Sequence, residues 1–182
     1  MKNILTALLT FCSVALGLGA QLPDSVFTKQ GDTLVGTIRI DKDNNKFFFS
    51  NKAFDDWELK PDSIASFVAY PNAEADEQRQ FSTVITDFYM LESGKNADIT
   101  IYSRNAYQAV TNDGPKYYLV KKRYCLIKNN APYFPDSGNF KEIMLFLTQD
   151  CFKIQEKFRL GEYNFSNYIE GILAFNRCRS GR

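Results

Sequence analysis

The spacing of apolar residues changes once along the chain, and this change divides it into two parts. Between residues 25 and about 129, apolar and polar residues alternate with a period of two, which is typical of β-strands with one buried face. The clearest case is a hairpin in which the Gly31-Asp32 turn precedes a strand over Thr33–Ile40. Gly36 interrupts that strand and predicts a bend that curls the sheet towards a barrel-like form.

Turn residues bound the remaining predicted strands. The strands are expected at residues 25–29, 33–40, 46–50, 57–60, 66–70, 81–91, 98–102, 106–111 and 117–128. We expect exposed loops between them, the longest over residues 72–80, which include three acidic residues and no large apolar one.

After residue 139 the apolar residues recur every three or four positions, which predicts three short amphipathic helices. The helices should contain Phe140–Leu147, Cys151–Phe158 and Phe165–Leu173, with Gly161 ending the second. We expect the tail, Arg177 to Arg182, to fray beyond Cys178.

The apolar faces of these helices must be covered, and the sheet is the surface available to them. The predicted fold class is therefore α+β: an N-terminal antiparallel, curled or barrel-like β-sheet (residues 25–129) followed by a C-terminal three-helix segment packed against it (residues 139–178). Both parts belong to a single domain over residues 21–182.

The first twenty residues have the order of a secretion signal. Lys2 supplies the positive start, Ile4–Leu18 is almost wholly apolar, and Gly17, Gly19 and Ala20 offer small residues for a peptidase. Leu18 matches cleavage after Ala20 poorly, so cleavage after Gly19 is the alternative. The apolar run is shorter than the ~20 residues that a membrane-spanning helix needs. We therefore expect a protein that is exported through a signal peptide at residues 1–20 and is periplasmic, outer-membrane-associated or secreted, with no transmembrane segment in the mature chain.

The charge balance argues against a polyanionic partner. The chain has 22 Lys and Arg against 21 Asp and Glu, and loss of Lys2 with the signal leaves 21 of each. Such a chain lacks the long-range attraction that nucleic acid or an anionic membrane surface would require. The expected partner is instead an envelope protein or a cell-surface component, with no nucleic acid.

Three cysteines remain after export, in a compartment where disulfides persist. Cys151 and Cys178 both lie in the helical part, and we predict that they form a disulfide. Cys125 lies in an apolar strand-like run, where a free thiol packs as a small hydrophobe; a reactive or partner-linking thiol is the alternative.

Short runs at Gly31–Ile38, Pro61–Ile64 and Leu147–Gln155, with Tyr163 and Cys178 after them, resemble those of uncharacterised exported proteins of Bacteroidota. In that group a GDTxxGxI hairpin opens the domain and an LxxDCxxIQ helical segment belongs to its end. In some of those relatives the region precedes an outer-membrane β-barrel. The resemblance implies a location in the cell envelope and no particular chemistry.

The candidate catalytic and metal-binding residues do not match the residue patterns that catalysis or metal binding requires. The run Asp41–Asn45 begins like a calcium loop, but Lys46 and Lys52 stand where that loop needs glycine and glutamate, so a hairpin turn is the better interpretation. Asp55 and Asp56 are neighbours on a turn and would not converge on a substrate. The chain has no histidine, which excludes histidine-dependent triads and dyads. We predict no catalytic residues, no metal ligands and no cofactor.

Aromatic residues on the predicted strands are the remaining candidates for function, because flat rings suit peptide and sugar ligands. The predicted interaction surface comprises Phe47, Phe49, Trp57, Tyr70 and Tyr117. The leading hypothesis is a non-enzymatic exported envelope protein with a β-rich binding domain. The alternatives are a carboxylate- or Ser/Lys-based hydrolase or transferase of the envelope, and a passive structural domain derived from the N-terminal part of an outer-membrane protein.

Overall fold

The computed structural model describes residues 23–41, 46–70, 77–93, 96–110 and 117–181, with the backbone alone for 106–110 and 117–121. The predicted signal sequence lies outside the described residues. Within them the chain forms ten strands followed by three helices. The strands are β1 (Asp24–Thr28), β2 (Thr33–Asp41), β3 (Lys46–Ser50), β4 (Trp57–Glu58), β5 (Ile64–Ala69), β6 (Arg79–Val84), β7 (Asp87–Ser93), β8 (Thr100–Val110), β9 (Tyr117–Lys128) and β10 (Ala131–Tyr133). The helices are α1 (Phe140–Leu147), α2 (Phe152–Leu160) and α3 (Tyr168–Ser180).

All strand pairs are antiparallel, and the strand order is β10-β9-β8-β7-β6-β5-β1-β2-β3-β4. The predicted α+β class is thus confirmed, with the sheet first and three helices after it. The sheet is open, because β10 and β4 lie at its two edges and do not pair with each other. Among the described residues, none of the helices combines the length and the apolar character that a membrane crossing requires.

Strand β2 changes partners at Gly36, and this change produces the bend that the sequence predicts. Residues Thr33 to Gly36 pair with β1, and residues from Thr37 onwards pair with β3. A Cβ atom on Gly36 would lie 2.3 Å from the carbonyl oxygen of Ser50, so only glycine lets β3 cross this closely. The buried Asp24 carboxylate accepts the Ile38 N–H at 2.7 Å, which gives a partner to a backbone group at the corner.

Strand pairing places one residue from each of six neighbouring strands in a single row, and residues directly opposite one another point to the same face. The row is Val26, Phe67, Phe81, Met90, Ser103 and Tyr124. We call this side of the sheet the inner face. Its two ends are covered differently, by β3 and β4 at one end and by the helices at the other.

Two hydrophobic cores form on the inner face. The first, which we call the strand core, lies between β1, β5, β6 and β7 and the folded-over β3; its fully buried members include Val26, Phe49, Ile64 and Phe67. The second, the helix core, lies between β8, β9 and the three helices; its fully buried members include Ile99, Leu126, Met144, Leu147, Ile172 and Phe175. Burial of large side chains at both ends gives most of the stabilisation, at roughly 1.5 to 3 kcal/mol for each one.

A buried lysine joins the helices to the sheet. Lys128 at the end of β9 donates to the carbonyl of Leu147 at 2.7 Å and to Asp150 at 2.7 Å, and its ammonium lies 5.2 Å from the centre of the Phe175 ring. The last carbonyls of a helix have no partner within the helix, so a lysine at the end of α1 satisfies one of them. A disulfide between Cys151 and Cys178 ties the start of α2 to the end of α3 and confirms the predicted pairing.

Three strand predictions are wrong in detail. The single strand expected at 81–91 is two strands, because Ile85 and Thr86 form a tight turn in which Ile85 has a φ of 58°. The two strands expected at 98–102 and 106–111 are one, β8. Strand β10 was not predicted; it follows a two-residue turn in which Asn129 and Asn130 both have positive φ.

Candidate functional site

Two of the five residues of the predicted aromatic surface are buried in the strand core. Phe47 is 4% exposed and Phe49 is 0% exposed, so neither can contact a ligand. The ring of Phe47 packs against the rings of Phe67, Phe81 and Phe88, at centroid distances of 4.8, 5.3 and 5.5 Å. The prediction is wrong for these two residues because β3 folds over the sheet and turns their side chains inwards.

The other three predicted residues do not replace the lost surface. Trp57 is half-buried; its ring stacks on Phe54 at 5.1 Å and meets Phe49 edge-on at 6.4 Å, so it closes the strand core at the β4 edge. Tyr70 is half-buried at the end of β5. The side chain of Tyr117 lies outside the described residues. An aromatic groove built from these residues is therefore not what the fold presents.

One of the acidic residues that the sequence offers as candidates, Asp56, forms an ion pair on the surface. Asp56 accepts two hydrogen bonds from the Arg39 guanidinium, at 2.7 and 2.9 Å, and Asp55 beside it is exposed. Residues 42–45 of the calcium-like run lie outside the described residues. In the part of the chain that the structure describes, no three Cys, Asp or Glu side chains converge in a way that would hold a metal ion.

A serine, a lysine and a glutamate meet between the two cores, and we call this cluster the polar junction. The Ser103 hydroxyl on β8 and the Lys122 ammonium on β9 both donate to Oε1 of Glu92 on β7, the latter at 2.7 Å. A register shift between Leu91 and Ser93 marks a bulge at Glu92. Sequence patterns do not reveal this cluster, because strand register alone brings together positions 11 and 30 residues away from Glu92.

The polar junction has the composition of a serine–lysine catalytic site but not its arrangement. A nucleophilic serine must be accessible and must give its proton to a neutral base. Ser103 is 2% exposed, and its hydroxyl donates to a carboxylate instead of a lysine. Burial acts to raise the pKa of Glu92, but the hydrogen bonds from Lys122 and Ser103 outweigh it and hold that pKa below its ordinary value of 4.5. Glu92 is thus an ionised carboxylate that accepts hydrogen bonds from Ser103 and Lys122.

The lowered pKa of Glu92 makes the stability of the protein pH-dependent in a defined direction. A carboxylate with a pKa lower in the folded than in the unfolded state stabilises the fold at neutral pH, and this contribution disappears as the pH falls through the folded pKa. We expect Glu92→Gln to lower the free energy of unfolding at pH 7 by about 1 to 2 kcal/mol. Urea unfolding at several pH values measures it: the wild type and variant should converge in acid. The control, Glu142→Gln on the exposed surface of α1, should change stability by only a few tenths of a kcal/mol, and equal effects of both substitutions would contradict this role of Glu92.

The free thiol is buried, in agreement with its predicted packing role. Cys125 is 0% exposed on the outer face of β9, where it packs with Tyr89 and Val84. Burial raises the pKa of the thiol to about 12, only partly offset by a backbone hydrogen bond from Tyr133. A thiol that stays protonated and out of contact with solvent is a poor nucleophile.

The outer edge of β9 is the longest strand edge without a partner strand among the described residues. β9 pairs with β8 along its whole length, whereas β10 pairs with Leu126–Lys128 alone. Among the described residues, no strand pairs with the other side of β9 between Tyr117 and Cys125. A strand edge of this kind presents backbone N–H and C=O groups that a further extended segment can use.

This open edge is strongly basic. The segments Arg104–Val110 of β8 and Tyr117–Cys125 of β9 together contain four cationic residues and no acidic one: Arg104, Lys121, Lys122 and Arg123. Arg104 pairs with Asp87 and Lys122 pairs with Glu92. Arg123 is exposed and has no acidic partner among the described residues. The edge therefore combines open main-chain groups with unbalanced positive charge.

Comparison of the chain with protein-family models, with curated proteins and with solved structures found no match.

Proposed function

We propose that the protein is a non-enzymatic binding domain of the cell envelope that adds an extended, acidic segment of a partner protein to the outer edge of β9. The observation that carries this proposal is the edge of β9 over Tyr117–Cys125, which pairs with no other described strand and belongs to strand segments, Arg104–Val110 and Tyr117–Cys125, whose charged residues are all positive. Addition of a strand to an open edge is a common way to recognise a peptide, since main-chain hydrogen bonds give the affinity and side chains the selectivity.

The edge chemistry favours a different protein over a second copy of this chain. Residue 121 is the centre of the open stretch 117–125, so antiparallel pairing of two copies about this centre would set Lys121 directly opposite the same residue of the other copy, with Lys122 and Arg123 next to it in each chain. Like charges directly opposite one another destabilise a strand pair. An acidic segment would turn the same charges into attraction and would speed the encounter.

The polar junction supports a binding role over a catalytic one. The serine and the lysine that a hydrolase would need both serve Glu92, and Ser103 is closed to solvent. The disulfide and the order of the first twenty residues support an exported protein, in line with the oxidising compartment where such bonds persist.

Site-specific crosslinking in native envelopes tests the proposal. A photo-reactive p-benzoylphenylalanine replaces Tyr117 on β9 or, as the matched control, Phe152, an aromatic residue on α2 that is 71% exposed. We expect one crosslinked partner from position 117 and not from position 152. The charge reversal Lys121→Glu with Arg123→Glu should remove that crosslink, whereas Lys141→Glu with Lys153→Glu on the helices should leave it intact.

Hydrogen exchange then identifies the mode of contact. The crosslinked segment, made as a peptide, should protect the backbone amides of residues 117–125 from exchange. Protection confined to the helices, or a crosslink that survives the charge reversal on β9, would rule out recognition at this edge.

A further inference from the structure

A cleft lies where the end of α3 meets the last residue of β7 and residues 96–98, which precede β8. Its volume is about 560 Å³, and it is lined from the sheet side by Ser93, Ala97 and Asp98 and from the helix side by Leu173, Asn176 and Arg177. Clefts of this size hold small ligands in other proteins. The cleft does not involve the edge of β9, so a ligand bound in it is independent of the proposed function.

The two walls of the cleft are fixed to each other. The side-chain amide of Asn176 accepts the N–H of Ile99 at 3.0 Å and donates to the carbonyl of the same residue at 2.7 Å. Arg179 pairs with Asp98 across the same boundary, and the disulfide at Cys178 holds this turn of α3 to α2. A cleft with fixed walls loses little conformational freedom when a ligand binds, which favours affinity.

The cleft offers more donors than acceptors. An asparagine amide has two N–H groups, and Ile99 uses one of those of Asn176. The Arg177 guanidinium is exposed and has no acidic partner among the described residues. The Ser93 hydroxyl oxygen is shielded from solvent and likewise has no hydrogen-bond partner there. Buried polar atoms without partners are rare in folded proteins, so an unpaired hydroxyl beside a cleft points to an absent acceptor.

The charges favour a ligand with a single negative charge. Among the described residues that line the cleft, Arg177 and Arg179 contribute two positive charges and Asp98 one negative charge, which leaves one positive charge in excess. The end of a helix adds partial negative charge from its last carbonyls, and this disfavours a dianion. A planar carboxylate matches the two parallel N–H groups of an arginine.

We propose that this cleft binds a small hydroxylated monocarboxylate, such as an acidic monosaccharide. Arg177 holds the carboxylate, and the free N–H of Asn176 donates to a ligand hydroxyl. Ser93 turns about its single χ1 bond to give the hydrogen bond that it lacks in the free protein. Leu173 and Ala97 supply apolar contact for the ligand's C–H groups.

Titration of the full-length, ¹⁵N-labelled protein tests the proposal by amide chemical shifts, with D-glucuronate, D-glucose and inorganic phosphate as probes. We expect saturable shifts at residues 93, 97 and 173–180 with glucuronate, and no saturation with glucose or phosphate. Arg177→Gln should weaken glucuronate binding about tenfold or more. Arg159→Gln, the same change on the exposed surface of α2, should leave it unchanged. Both variants alter exposed or half-exposed side chains and should stay folded.

Several results would overturn the inference. If glucose bound as tightly as glucuronate, the carboxylate would contribute nothing to recognition. If phosphate bound equally well, the cleft would be a general anion site. An Arg177→Gln variant with unchanged affinity, or the absence of saturation with glucuronate, would show that the cleft does not bind a carboxylate. Ser93→Ala separates the hydroxyl's role: weaker binding with unchanged stability supports it, and unchanged binding removes it.

Discussion

Replacing Gly36 with alanine is expected to lower the free energy of unfolding by about 2 to 3 kcal/mol. The added Cβ would lie 2.3 Å from the Ser50 carbonyl oxygen and 2.8 Å from two atoms of the Phe49 ring. The oxygen belongs to the backbone of β3 and the ring is fully buried, so neither can move without opening the strand core. Urea unfolding followed by circular dichroism measures the change.

The same substitution would be mildly stabilising if space allowed it. Gly36 has an ordinary negative φ, and glycine-to-alanine changes at such positions gain roughly 0.4 to 1 kcal/mol from the unfolded state. Gly138 provides the matched control, because its Cβ would meet its nearest neighbour, Asp136, at an ordinary 3.4 Å. Gly138→Ala should therefore keep or slightly raise stability. A Gly36→Ala variant as stable as the Gly138→Ala variant would mean that β2 and β3 do not cross as described.

The corner at Gly36 also explains what the sequence can and cannot predict about the aromatic residues. Phe47 and Phe49 share a face, as alternation along a strand requires, while Phe48 points outwards beneath the Arg39 guanidinium at 4.4 Å. Local periodicity identifies the pair but not which side of the sheet is covered. Which side is covered depends on the point at which β2 changes from β1 to β3 as its partner. The first pairs after that point, Thr37 with Ser50 and Ile38 with Phe49, join residues more than ten positions apart in the chain.

The sequence predicts a strand boundary correctly where polar residues lie in a turn, and it fails where a turn contains apolar residues or a strand contains polar ones. Ile85 is 67% exposed and has a left-handed backbone, a conformation that β-branched residues rarely adopt, so its turn carries no sequence signal. Ser103 to Asn105 look like a break between two strands because they are polar. The structure shows why polarity is tolerated there: the Ser103 hydroxyl donates to Glu92 and Arg104 pairs with Asp87.

The helical half was predicted more completely because its contacts are local. Apolar residues at three- and four-residue spacing mark α1, α2 and α3, and Gly161, with a φ of 81°, ends α2 as expected. The exception is the last turn. The sequence predicts fraying beyond Cys178, but α3 continues to Ser180, because Arg179 pairs with Asp98 and Asn176 binds the backbone of Ile99. The partners of these side chains lie some 80 residues earlier, so the cleft they form was not visible in the sequence.

Replacing Cys151 and Cys178 together with alanine is expected to cost about 3.5 kcal/mol in the free energy of unfolding, as a crosslink that closes a loop of 27 residues would give. The bond joins the residue before α2 to the last turns of α3. Its loss removes the only disulfide among the described residues, so α2 and α3 are then connected by the backbone alone. Reductant should destabilise the wild type to the level of the double variant and leave that variant unchanged. Cys125→Ala, which removes a buried thiol but no crosslink, should remain as sensitive to reductant as the wild type. A wild type whose unfolding midpoint is the same with and without reductant would show that the helices gain nothing from the bond and that Lys128 and the helix core alone hold them on the sheet.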